Sequence, residues 1–226
     1  MNPVLKRLRF RRFSTVQLLV ALVVLLIAAP FVEELEGGNL ILSVLFSLVL
    51  LAAVFAVANR KRSLAFALVL AIPAIAARWT NYLRPNLVPP SVFLVCALVL
   101  LAFVIGHLLN FVLRAPVVTV EVLCASIAAY LMLGLMWTVA YWFVDQVTPG
   151  GAFSFNTDRE SHSMNGFTGF YFSFITLSTV GYGDITPVSQ AARWLAAMEA
   201  MTGLLYVAVL IARLVSLYSR TKSDDS

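Results

Sequence analysis

Thr179-Val180-Gly181-Tyr182-Gly183-Asp184 is the stretch on which the reading of this chain turns. Small residues alternate with one aromatic, and glycine, lacking a Cβ, takes the dihedrals that turn successive backbone carbonyls to one side. With Gly181 and Gly183 doing so, and the Thr179 hydroxyl adding an oxygen at the inner end, the segment offers a row of ligands. Such a row can replace the hydration shell of a K+ ion. The side chains of Val180 and Tyr182 then pack away from the row. Thr179, Val180, Gly181 and Tyr182 are therefore the expected ion ligands, with Gly183 and Asp184 in support.

Working outward, an apolar run of helix length at 167–178 precedes the stretch, and a turn at Pro187 and a long apolar helix follow it. This arrangement resembles the pore domain of tetrameric potassium channels over residues 117–219, less than half of the chain. The resemblance implies an outer helix, a turret, a re-entrant pore helix, a selectivity filter and an inner helix. One chain carries one filter segment, whereas a ring of carbonyls around an axis needs about four, so a homotetramer is expected. Each pore helix would aim its C-terminus, near Ser178 and Thr179, at a central cavity, where its partial negative charge favours a cation.

Further roles are implied in the same way. Phe170, Tyr171, Phe172 and Phe174 form an aromatic belt behind the filter, with Phe167 and Phe170 closer to generic interfacial aromatics; the Thr176 and Ser178 hydroxyls satisfy local backbone groups. Asp184, at the outer mouth, concentrates cations. In many pores of this family a pore-helix tryptophan meets that aspartate; the matching position reads as Phe172, which has no donor. Ile175 stands where an acidic residue sometimes sits. On the inner helix, Gly203 falls at the family's hinge glycine and reads equally as a hinge or as a point of close helix packing. Leu204, Val207 and Ile211 share a helical face that, in the family register, lines an apolar cavity or gate. Glu199 is an intramembrane acid and therefore expensive. It reads as a brace to pore-helix hydroxyls such as Ser173 or Thr176 in preference to a pH sensor. Glu121 and Arg213 are expected to meet at the cytoplasmic rim, and the turret, 145–165, reads as a solvated loop.

The whole chain is apolar: 61% of its residues are hydrophobic and 12% charged, and the mean hydropathy is +0.92. That composition excludes an ordinary soluble domain. Runs of about 17–25 apolar residues cross a bilayer as helices, and six are found, at 15–32, 40–58, 64–82, 92–113, 117–144 and 189–218. The third contains Pro73 and Arg78, which must snorkel to the nearer interface. Of the 16 Lys and Arg residues, all but Arg78, Arg84, Arg159 and Arg193 fall on one side of the membrane, the side opposite Glu33, Glu34 and Glu36. Both termini are therefore expected in the cytoplasm, with the chain in the cell membrane. The formal charge of +5 reflects topology and anionic lipid, with no nucleic-acid surface. The basic start and apolar run also resemble a signal peptide; without a good small-residue cleavage site before Glu33, an uncleaved anchor is expected.

The expected fold is thus an all-α membrane protein, with a four-helix part (1–114) and a two-helix pore domain (115–226) divided at Arg114-Ala115-Pro116. The fourth span has no arginine in its apolar run. A charge crossing the field is worth about 2.3 kcal/mol per 100 mV, and this helix offers none, so intrinsic voltage sensing is not expected. His107 and Asn110 lie three apart on that span, a spacing suited to an interhelical hydrogen bond. Cys96 and Cys124 sit inside apolar runs and read as free thiols. No nucleophile, base and oxyanion set is visible, so an enzyme is not expected, nor any cofactor beyond K+ in the filter. The other readings are a K+ transporter or uptake-system subunit, whose relatives carry four degenerate loops in one long chain, and an accessory pore subunit needing a partner chain.

Overall fold

The computed structural model describes residues 3–32, 35, 37–58, 61–83, 89–156, 164 and 166–224. They form seven helices and two short strands: α1 (Pro3–Val32), α2 (Gly38–Val57), α3 (Lys61–Leu83), α4 (Pro90–Arg114), α5 (Val120–Val147), β1 (Phe153–Phe155), α6 (Gly166–Leu177), β2 (Ile185–Pro187) and α7 (Gln190–Asp224). All but α6 are long and apolar enough to cross a membrane, and the protein is an all-α multi-pass membrane protein. Arg84, Arg159, Glu33, Glu34 and Glu36, used above for orientation, lie outside the described residues.

Local chemistry explains the boundaries. α4 opens on Pro90, whose fixed φ and missing N–H suit a first helical turn. It stops at Arg114 because Ala115 precedes Pro116 and is held extended, at φ −64° and ψ 129°. Thr119 then caps α5, its hydroxyl accepting from Val122 N at 3.4 Å, and Glu121 sits in the first turn, where a negative charge complements the helix dipole. α3 runs unbroken through Pro73, so the third span is one helix. Arg78 on it is held from two sides: its Nε donates to Ser43 Oγ at 3.1 Å, and its guanidinium lies 5.7 Å from the centre of the Phe93 ring.

α5 is the organising helix, packing on α1, α4, α6 and α7. One buried apolar core threads from Leu18, Val49, Ala71 and Leu101 into Ala128 and Met132 of α5 and on to Phe170 and Leu177 of α6. The first four helices therefore rest on α5 of their own chain through α1 and α4. A second, smaller core gathers Tyr141, Val144, Ala152, Phe153, Met164, Phe172, Ile185 and Ala192 around the end of α6. α7 is the exception to this burial: 61% of the apolar window of α5 is buried, but only 11% of that of α7.

The described residues of the 145–165 stretch depart from the expected solvated loop. Phe153–Phe155 pairs antiparallel with Ile185–Pro187, in the register Phe153↔Pro187, Ser154↔Thr186 and Phe155↔Ile185. Its lower end is fixed by Asp145, whose Oδ1 accepts from Ala152 N at 2.7 Å and whose Oδ2 accepts from Met164 N at 3.4 Å.

Candidate functional site

α6 ends by unwinding directly into the 179–184 stretch. Thr179 N donates to Thr176 O at 2.9 Å, and both Val180 N and Gly181 N donate back to Ile175 O, at 2.8 and 3.2 Å. The helix end thus seats the start of the segment with backbone hydrogen bonds alone. Beyond it, positive φ recurs at every second residue: Thr179 at 60°, Gly181 at 52° and Gly183 at 79°. In an ordinary strand successive carbonyls face opposite sides; alternating left-handed residues with ordinary ones is how a chain brings them to the same side. Thr179 is the only described non-glycine residue with positive φ, a conformation costing roughly 1–3 kcal/mol. Such strain persists where the surroundings impose it, and here the Thr176 and Ile175 carbonyls do. Val180 and Tyr182 point away from their own chain, 53% and 71% exposed.

The outer end of the segment is tied in three directions. Tyr171 Oη donates to Asp184 Oδ2 at 2.7 Å, Asn156 N donates to Asp184 O at 2.8 Å, and Asn156 Nδ2 reaches Gly183 O at 3.4 Å. The expectation that Asp184 lacks a pore-helix donor is therefore corrected: Tyr171, one residue before Phe172, supplies it. Phe172 faces the other way, buried between Tyr141 and Phe153 with ring centroids at 4.9 and 5.2 Å. Phe170 is likewise core, edge-on to Trp142 at 5.7 Å, and not a generic interfacial aromatic.

Glu199 is fully buried in α7 and joins three helices. Tyr141 Oη of α5 donates to Oε2, and Ser173 Oγ of α6 lies 2.6 Å from Oε1 while also donating to Gly134 O of α5 at 2.7 Å. Ser173, and not Thr176, is thus the hydroxyl that meets the acid. One turn further along both helices, Gly203 lies against Leu177: a Cβ there would run into the Leu177 carbonyl oxygen. Of the two readings of Gly203, the structure displays close packing. Leu204, Val207 and Ile211 are exposed on the open side of α7. Among them in sequence, Tyr206 Oη donates to Ser126 O at 2.5 Å. Arg213 Nη2 donates to Ala115 O in the α4–α5 linker at 2.9 Å. Arg213 therefore makes no ion pair with Glu121; it binds the linker backbone instead. Cys96 and Cys124 are free, and no cluster of metal-ligating side chains occurs among the described residues.

Residues 117–220 match the family model described as ion channel. That match covers just under half of the chain, and it is over this part that the chain is similar to that family. Over 47 residues the chain is 45% identical to two-pore potassium channel 4 of Arabidopsis thaliana, covering 21% of this chain and 16% of that protein. It is 47% identical over 45 residues to Protein LctB of Bacillus caldotenax and 49% identical over 45 residues to Protein LctB of Geobacillus stearothermophilus, in each case 20% of this chain and 33% of the relative. The matched stretch spans a third or less of the length of these relatives. No solved structure matched the chain.

Sequence reading located the segment, Glu199 and Ser173. It missed Asn156 and Tyr141, and gave Tyr171 no hydrogen-bonding role. The one available signal was the hydroxyl of Tyr171 next to a residue that has none.

Proposed function

We propose that this chain is a potassium channel, conducting K+ passively as a homotetramer through a filter made by Thr179, Val180, Gly181 and Tyr182. The carrying observation is the recurrence of positive φ at Thr179, Gly181 and Gly183, which suits a single-file row of inward carbonyls. The tetramer is supported by what a single chain leaves open: the exposed Val180 and Tyr182 side chains and the unburied apolar length of α7. In the assembly these surfaces meet neighbouring copies, while Leu204, Val207 and Ile211 face the central cavity. Residues 115–226 form the conducting unit and residues 1–114 a four-helix part that surrounds it. Both termini lie in the cytoplasm of a cell whose membrane holds the protein. The apolar run of α4 has no arginine to move in the field, so opening is not intrinsically voltage-driven. Gly203, seated on Leu177, serves as a packing point between the inner helix and the filter support.

The test is ion flux from the purified chain in liposomes, under a K+ gradient and then a Na+ gradient, with Gly181→Asp as control. K+ flux that exceeds Na+ flux and vanishes in the control supports the reading. Comparable Na+ flux overturns its selectivity, and flux that persists in Gly181→Asp overturns the placement of the filter.

A further inference from the structure

We infer that Asn156, in the turret, is a positioning residue for the outer end of the filter, so that the turret strand governs how firmly the outermost ion site holds K+. The inference rests on the potassium-channel reading above. One residue reaches two successive carbonyls of the filter exit: its backbone N–H donates to Asp184 O at 2.8 Å, and its side-chain N–H to Gly183 O at 3.4 Å. These are the last peptides before β2, and Gly183 sits at φ 79°, where nothing but a glycine backbone and its partners limits rotation.

The donor is itself held in place. Asn156 follows directly on β1, whose three residues are in register with Ile185–Pro187, so Asn156 continues the ladder by one step, opposite Asp184. At the other end of β1, Ala152 O accepts from Val188 N at 2.9 Å and Ser189 N at 3.3 Å, and Asp145 fixes Ala152 N. Between them Phe153 is buried, edge-on to Tyr141 at 5.6 Å and to Phe172 at 5.2 Å. β1 is therefore anchored to both α5 and α6, and Asn156 projects from that anchored frame onto the filter exit. With the side-chain donor in place, the Gly183 carbonyl is kept turned toward the turret. Without it, the peptide after Gly183 is free to rotate, and the Tyr182 carbonyl at the end of the row loses the fixed peptide that follows it.

The experiment uses the full-length chain in detergent and in liposomes, comparing wild type with Asn156→Ala, Asn156→Asp and Ser154→Ala. Asn156→Asp retains size and the backbone bond but removes the side-chain N–H donor. Ser154→Ala alters an exposed strand residue beside it. K+ is titrated against a Na+ background while thermal unfolding of the assembly is followed, and K+ flux is recorded at low and high external K+. Loss of a single hydrogen bond at the site predicts that both Asn156 variants need about fivefold more K+ for half-maximal stabilisation. Their flux should run down faster at low external K+ and recover when K+ is raised. Melting in Na+ alone should be unchanged, and Ser154→Ala should match wild type. Asn156 variants with wild-type K+ dependence overturn the inference and leave the channel reading standing. So does a fall in Na+-only stability with the K+ dependence intact, which would make Asn156 merely structural. A wild-type protein that neither passes K+ nor is stabilised by it overturns the channel reading and this inference with it.

Discussion

Replacing Glu199 tests how the inner helix is joined to the rest of the molecule. Glu199→Ala removes a carboxylate that is 0% exposed, and with it the acceptor for Tyr141 Oη. Ser173 keeps an acceptor, because Gly134 O lies 2.7 Å away. The cost is therefore one orphaned buried hydroxyl, roughly 1–3 kcal/mol, plus a cavity worth roughly another 2 kcal/mol. Relief of the buried acid offsets part of this. A net loss of roughly 2–4 kcal/mol per chain is expected, which in a chain of this size lowers the melting temperature by on the order of 10 °C. Glu199→Gln is the discriminating partner: its carbonyl still accepts from Tyr141 and its amide N–H can donate to Ser173 Oγ. It should stay within about 1 kcal/mol of wild type. Both are read by thermal unfolding of the purified assembly monitored by size-exclusion chromatography. A Glu199→Ala protein that melts with wild type would refute the brace, and a Glu199→Gln protein as damaged as Glu199→Ala would show that charge, not hydrogen bonding, is what the site uses.

Gly203→Ala places a Cβ into the Leu177 carbonyl, and overpacking of roughly 1–3 kcal/mol should lower the yield of assembled protein on size exclusion, whereas a freely bending hinge would tolerate alanine. Tyr171→Phe deletes the 2.7 Å bond to Asp184, a loss of roughly 1.5–3 kcal/mol for a bond to a charged acceptor, and should accelerate run-down of K+ flux without abolishing it. Arg213→Ala removes the 2.9 Å tie to Ala115 O; a change in K+ flux with unaltered K+ over Na+ selectivity is expected in liposome recordings, since the proposed filter, 179–184, lies at the opposite end of α7.

The spans and the 179–184 segment were legible for the same reason: each is fixed by a property of its own residues. Hydropathy over a bilayer's length marks a helix wherever it packs, and two glycines at alternate positions predict alternate left-handed dihedrals without help from neighbours. Glu199 and Ser173 were also within reach, because a buried acid must find donors and few hydroxyls stand at its depth. The donor to Asp184 was not. Adjacent residues on a helix point about 100° apart, so choosing Phe172 over Tyr171 by register alone put a core ring in place of the residue that meets Asp184. β1 was equally hidden: three residues, Phe153-Ser154-Phe155, are too few for alternation to stand out, and their partner strand lies beyond the 179–184 segment in sequence. Tyr141 reads as one more aromatic in a span until the fold sets it between Phe153 and Glu199.

That position of Tyr141 joins the two ends of the site. Its ring packs on Phe153 of the turret strand and Phe172 of α6, while its hydroxyl binds Glu199 of α7. The β1 strand and α7 are therefore held by the ring and the hydroxyl of one side chain, with Ser173 and Gly134 closing the circuit through α6 and α5. Tilting α7 cannot leave this residue undisturbed unless the Tyr141 to Glu199 bond breaks first. Tyr141→Phe cuts that bond and leaves the ring packing whole, so it should loosen α7 while sparing β1 and the Asn156 contacts. Combined with Glu199→Ala, its destabilisation should be far from additive, because both changes remove the same bond. Additive melting shifts for the pair would mean that the two residues act separately and that no such circuit exists.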